Sequence, residues 1–333
     1  MGSGERPRSG NLKFNRNAIA GAAIRSGQYQ QDAMGLFNSL ISGMLPYAPK
    51  SIVRVVANKY IAGETLNDAM ATVAQLNAEG AMATIDVLGE FVENSALARQ
   101  ETEHALKVLE EIALRKVDSN LSVKLTSLGL GIDTEFAYEN LHRIVSRAAE
   151  LGNFVRTDME NSPYTDRTIE LQRRIRREFP NNVGIVLQAY LRRTEEDIRT
   201  LAAEGTSFRL CKGIYIEPES IAFKGREEVQ QNYLKCLELI LDHGCYVGIA
   251  THDDVLIDGA RTIIARRGLK RDQYEFQMLL GVRESKRREL IAQGHRLRVY
   301  VPFGKDWYGY SIRRLKENPA VAGHVFKAIF TGD

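Results

Sequence analysis

Two adjacent arginines, Arg313 and Arg314, stand near the C-terminal end of the chain, three and four positions after Tyr310. If residues 306–317 form a helix, as their pattern predicts, the phenol and both guanidiniums share one face. Guanidiniums give charge-assisted, bidentate pairs to carboxylates, so this group suits a small amino or organic acid. A solvated helix face, with Glu317 as the i,i+4 partner of Arg313, uses the same residues. Both readings are open on the local sequence.

Other polar groups recur where short apolar runs end. They are Lys124 with Thr126, Asp158 with Met159, Gln188, Arg209 with Lys212-Gly213, Thr251-His252-Asp253, Gln277 and Tyr300. The runs themselves, 83–88, 122–125, 154–159, 183–188, 208–212, 246–251, 275–279 and 297–301, have strand length. Amphipathic stretches at 95–116, 135–151, 165–179, 195–204, 227–243, 254–266 and 284–293 separate them and predict helices. Eight such units predict a closed α/β fold, a (βα)8 TIM-like barrel, whose strand ends converge at one mouth and carry the chemistry. An open doubly wound sheet is the fold alternative. It leaves nucleotide binding unexplained, because there is no G-x-G-x-x-G or Walker-type loop and Gly129-Leu130-Gly131 lacks a third glycine.

Taken singly, these residues have plainer uses. Lys124 can pair with Asp158 at the barrel top, Gln188 can be a satisfied buried amide, and Arg209 and Lys212 can be solvated charge. His252 beside Asp253 and Asp254 lacks a second histidine, so a metal site is not indicated. Gly213 after Lys212 puts a cation next to a residue that permits close backbone approach, which suits a phosphate or a flavin ring.

The bulk properties narrow the class. With 333 residues, 44% hydrophobic and 26% charged, and a formal net charge of +3, the chain reads as an ordinary globular protein with no nucleic-acid-binding surface. Cys211, Cys236 and Cys245 show no C-x-x-C spacing, so neither a disulfide framework nor zinc is expected, and a reducing, cytoplasmic setting fits. No apolar run approaches the roughly 18 residues of a membrane span. Residues 1–27 read as a disordered tail and 28–80 as an N-terminal helical arm, with 81–333 as the barrel domain and its C-terminal helices. Within the arm, Thr65 and Asp68 predict a capping box. The stripe at 51–61 can lie on a membrane surface, but packing on the host domain is the preferred reading.

Taken in order, the strand-end segments resemble the proline dehydrogenase family of the monofunctional bacterial type. The resemblance rests on Val123-Lys124-Leu125-Thr126-Ser127-Leu128-Gly129, Arg156-Thr157-Asp158-Met159-Glu160, Leu187-Gln188-Ala189-Tyr190, Arg209-Leu210-Cys211-Lys212-Gly213-Ile214-Tyr215, Ala250-Thr251-His252-Asp253, Tyr274-Glu275-Phe276-Gln277 and Tyr310-Ser311-Ile312-Arg313-Arg314. It implies a distorted barrel that binds FAD without a Rossmann motif and oxidises L-proline to Δ1-pyrroline-5-carboxylate. Electrons would pass to a membrane quinone, with peripheral contact to the inner membrane. By the same resemblance, Arg313, Arg314 and Lys124 would hold the substrate carboxylate, Asp158 would position the site, and Tyr300, Tyr310 and Leu279 would enclose the ring. Arg209 would approach flavin N5, while Met159, Gln188, Lys212, Gly213, Ile214, Tyr215, Thr251, His252 and Glu317 would line the cofactor. Ile214 departs from the alanine common in the family and adds bulk there. The alternatives are hydroxyproline oxidation, which Tyr300 argues against, and a Schiff-base barrel aldolase using Lys124 or Lys212.

Overall fold

Strands buried on both faces read as near-continuous apolar runs, and helices packed against them carry one apolar stripe. The computed structural model describes residues 1, 53–54 and 57–317, with side chains to 314. It closes those runs into a parallel barrel in sequential order. The strands are β1 (Met82–Val87), β2 (Ser119–Val123), β3 (Val155–Thr157), β4 (Val183–Gln188), β5 (Ser207–Cys211), β6 (Val247–Ala250), β7 (Tyr274–Leu279) and β8 (Leu297–Phe303), and β8 pairs back with β1. Helix α1 (Leu66–Ala78) precedes them. Helices α2 (Ser95–Arg115), α3 (Thr134–Glu150), α4 (Ser162–Glu178), α5 (Thr194–Ala202), α6 (Arg226–Asp242), α7 (Asp254–Arg267) and α8 (Glu284–Ala292) connect the strands, and α9 (Trp307–Glu317) follows β8.

Local chemistry starts the helices where the sequence predicts. Thr65 and Asp68 exchange the two hydrogen bonds of a capping box at α1. Asn94 and Asp133 accept from Leu97 and Phe136 at the starts of α2 and α3. The apolar faces of the helices, such as Val108 and Leu109 of α2 and Leu141 and Ile144 of α3, are fully buried with the strand residues Ile85, Leu121 and Ile185 in one core. Met70, Val73 and Leu76 of α1 belong to that same core. Ala57, Tyr60 and Ile61, part of the stripe read at 51–61, are buried as well. Of the segments read as tail and arm, residues 2–52 and 55–56 lie outside the described residues.

By contact, residues 54–311 make one compact unit, and residues 1–53 with 312–333 make another. The first holds the barrel and its mouth. The second includes Arg313 and Arg314, on the last turns of α9, with Arg314 buried.

The inside of the barrel is polar and charged. Arg156, Arg209, Glu275, Gln277 and Arg298 are all buried there. Glycines make the room. Arg156 on β3 is in register with Gly184 on β4, which is in register with Ser207 on β5. The guanidinium reaches over the glycine to Ser207 O at 2.7 Å and Ser207 Oγ at 3.1 Å. A Cβ at 184 would come within 2.4 Å of Arg156 Nη1, so only glycine allows this crossing.

Candidate active site

At the C-terminal end of the barrel, four strands deliver charged or phenolic groups into one cluster. Lys124 leaves β2 just after its last ladder residue, and Asp158 leaves β3 the same way, its amide donating to Val123 O at 2.8 Å. Arg209 comes from β5 and Tyr300 from β8. Asp158 Oδ1 accepts from Ser122 Oγ at 2.7 Å and Arg209 Nη1 at 2.8 Å. Its Oδ2 accepts from Tyr300 OH at 3.0 Å and lies 3.8 Å from Lys124 Nζ. With both oxygens engaged, the Asp158 carboxyl group is held in place and orients its neighbours.

The nearer partner of Lys124 is not Asp158, as the strand-end pattern suggests, but Asp86 of β1, at 2.7 Å. Asp86 is a site residue that the sequence reading passes over. Its signal was present: an acid inside the buried run Met82–Val87 must find a cation. Burial works against the Lys124 ammonium, yet Asp86 and Asp158 hold its pKa above the ordinary lysine value. Burial and the neighbouring Asp158 likewise push the Tyr300 phenol well above its usual range, so it stays neutral and donates. The Arg209 guanidinium lies over the Tyr300 ring, 5.4 Å from its centroid.

A second group lines adjacent strand ends. Gln188 is satisfied on its nitrogen, donating to Glu160 O at 3.0 Å. Glu160, also missed by sequence reasoning, is buried against Thr126, whose amide donates to it at 3.0 Å and whose hydroxyl donates too. Burial raises its carboxyl to about 7. Met159 is buried beside it in the chain. Arg209 is buried and paired, which removes the solvated-charge reading for it, whereas Lys212 is half-exposed and reaches Asp253 at 3.4 Å. Gly213 has φ of 110°, and a Cβ there would strike the Tyr190 ring, so glycine is required. Ile214 and Tyr215 follow, with Ile214 exposed. Thr251 Oγ1 accepts from Asp253 N at 3.2 Å, and His252 Nε2 accepts from Leu279 N at 2.9 Å, which puts the imidazole proton on Nδ1. Leu279 is half-buried, Tyr310 buried on α9, and the Glu317 side chain lies outside the described residues.

The sequence model of a family described as proline dehydrogenase matches residues 69–327. The chain belongs to the proline dehydrogenase family. It is 40% identical over 276 residues to proline dehydrogenase 2 of Bacillus subtilis (strain 168), covering 83% of this chain and 91% of the relative. It is 35% identical over 281 residues to the proline dehydrogenase of Deinococcus radiodurans, covering 83% and 91%. These are relatives of the monofunctional bacterial type. Among solved structures, proline utilization A from Bdellovibrio bacteriovorus inactivated by N-propargylglycine matches with a TM-score of 0.73 and 26% identity, over 79% of this chain. The chain spans about a third of that larger protein, 32% of its length. The barrel agrees with that structural match.

Proposed function

We propose that the protein is an FAD-dependent L-proline:quinone oxidoreductase that forms Δ1-pyrroline-5-carboxylate, the first oxidation in proline catabolism. The observation that carries this reading is the convergence of Lys124, Asp158, Arg209 and Tyr300 into one hydrogen-bonded cluster. The residues present fit a flavin. Arg209 Nη2 is a buried donor with no hydrogen-bond partner among the described residues, which an acceptor atom of the flavin would satisfy. Met159, Gln188, Arg209, Lys212, Gly213, Ile214, Tyr215, Thr251 and His252 would hold it, with Glu317 added from α9.

When bound, the flavin supplies the acceptor for the hydride that leaves the ring carbon beside nitrogen. The chain supplies the rest. Arg313 and Arg314, with Lys124 as a third cation, bind the carboxylate, and Leu279, Tyr300 and Tyr310 enclose the ring. The nitrogen lone pair becomes the second bond of C=N, so the amine must arrive unprotonated, and the iminium that results gives up its N–H proton to water. No protein base is required. Quinone reduction would take place at a membrane surface by peripheral contact on the cytoplasmic side; among the described residues no helix is long and apolar enough to cross a membrane.

The aldolase reading fails on Lys124, because a Schiff-base nucleophile must be neutral and this ammonium is held charged by Asp86 and Asp158. Purified protein should be yellow, and L-proline should bleach it anaerobically. Tetrahydro-2-furoic acid, which lacks the ring nitrogen, should compete with proline without bleaching. A colourless protein that borohydride traps on its substrate would overturn the proposal.

A further inference from the structure

Arg209 is held on two of its edges. Nε donates to Gln277 Oε1 at 2.5 Å, while Nη1 donates to Asp158 Oδ1 at 2.8 Å and Ser122 Oγ at 3.1 Å. A planar guanidinium pinned in this way keeps one direction, that of Nη2, in which to donate. The pin at Nε depends on how the Gln277 amide is turned. Its Nε2 donates to Glu275 Oε1 at 2.6 Å, and Glu275 is gripped by Arg298 through Nε at 2.7 Å and Nη2 at 3.1 Å. Arg298 Nη1 is itself anchored on Ala83 O at 2.6 Å. A flipped amide would set its oxygen against the carboxylate and its NH2 against the guanidinium, so the chain of contacts permits one orientation.

This chain crosses from β5 to β7 over β6, and β6 offers no side chain at the crossing. Arg209 is in register with Gly248, and Gly248 with Glu275. A Cβ at 248 would lie 2.3 Å from Gln277 Nε2 and 2.8 Å from its Cδ.

We propose that Gln277, oriented by the Glu275–Arg298 pair and given room by Gly248, is a positioning residue that turns Arg209 so that Nη2 faces the reacting centre. The inference rests on the role given to Arg209 above. Gln277 touches neither substrate nor cofactor in this scheme; it acts through the guanidinium.

Two variants of the full-length, flavin-loaded protein test this from different sides. Gln277→Leu removes the acceptor at similar volume, and Gly248→Ala leaves every polar group present while its methyl displaces the amide. Each should lower kcat for proline about tenfold to a hundredfold, with KM changed by less than about threefold and flavin content intact. Arginine-selective 15N labelling gives a readout independent of turnover. The Arg209 Nε–H signal, assigned by its loss in Arg209→Lys, should shift and exchange faster with solvent in both variants. An undisturbed signal in both would overturn the positioning. A displaced signal with wild-type kcat would instead overturn the role of Arg209 in the reaction, and with it the functional part of the proposal.

Discussion

Replacing Glu160 by Gln should stabilise the protein at alkaline pH and flatten part of its pH dependence. Glu160 is 1% exposed, and the hydrogen bonds from Thr126 and the more distant Lys124 only partly offset the burial that raises its carboxyl from 4.5 to about 7. Because the folded pKa lies above the unfolded one, the native state holds a proton between these values that the unfolded chain has released. Stability from this group is therefore full below about 4.5, declines as pH rises, and is lost once pH passes about 7. At about 1.4 kcal/mol for each pH unit between the two values, the decline amounts to about 3 kcal/mol. In a chain of this size that corresponds to roughly 4–5 °C in Tm. Glutamine is isosteric with the carboxyl and keeps an acceptor for the Thr126 amide, while its NH2 faces Thr126 Oγ1, which also accepts from Phe91 N at 3.0 Å. The assay is calorimetric unfolding of both proteins from pH 4.5 to 8.5 at constant ionic strength. The Tm advantage of Glu160→Gln should widen as pH rises through that range; parallel curves would refute the assignment of a raised carboxyl at Glu160.

Asp86→Asn leaves Lys124 buried with Asp158 at 3.8 Å as its remaining ion-pair partner and Glu90 farther off, and should cost roughly 3–5 kcal/mol of stability. The lysine pKa should fall too, so the proline KM of the variant should climb at alkaline pH where the wild-type value does not; coincident KM profiles would count against Lys124 as a substrate cation. Met in place of Arg313 or Arg314 should reduce kcat/KM by roughly 2–4 kcal/mol, mostly through KM, with flavin content unchanged. The double variant should lose less than the two singles together, because in the proposed binding mode both groups hold one carboxylate; full additivity would separate them. Tyr300→Ser removes both the donor to Asp158 at 3.0 Å and the ring beside Arg209, and in the proposed binding mode opens space over the substrate ring. Proline turnover should fall while the ratio of trans-4-hydroxy-L-proline to proline use rises, and an unmoved ratio would take Tyr300 off the ring face.

The barrel was legible because its physics is local. A strand buried on both faces must be apolar over its length, a helix on its outside must be apolar on one stripe, and the two periods can be told apart over a few residues. Strand ends are thereby marked, and Lys124, Asp158, Gln188, Arg209, Thr251, His252 and Tyr300 could be named from the one-dimensional pattern. Boundaries moved by a few residues. β3 keeps only Val155–Thr157, which places Asp158 beyond the ladder where its side chain is free to turn into the mouth.

Pairing was decided only by closure of the barrel. Asp86 and Lys124 are 38 positions apart, Arg209 and Gln277 68, and Lys124 and Tyr300 176, so no window of sequence contains such a pair. Asp86 read as one acid in an apolar run, and Gly184 and Gly248 as unremarked small residues, because an empty position in a strand has meaning only when a side chain from the next strand passes over it. Residue type determined which groups had to be neutralised if buried. Which partner neutralised each depended on strand register and the closing of β8 on β1, and those are set by the whole fold at once.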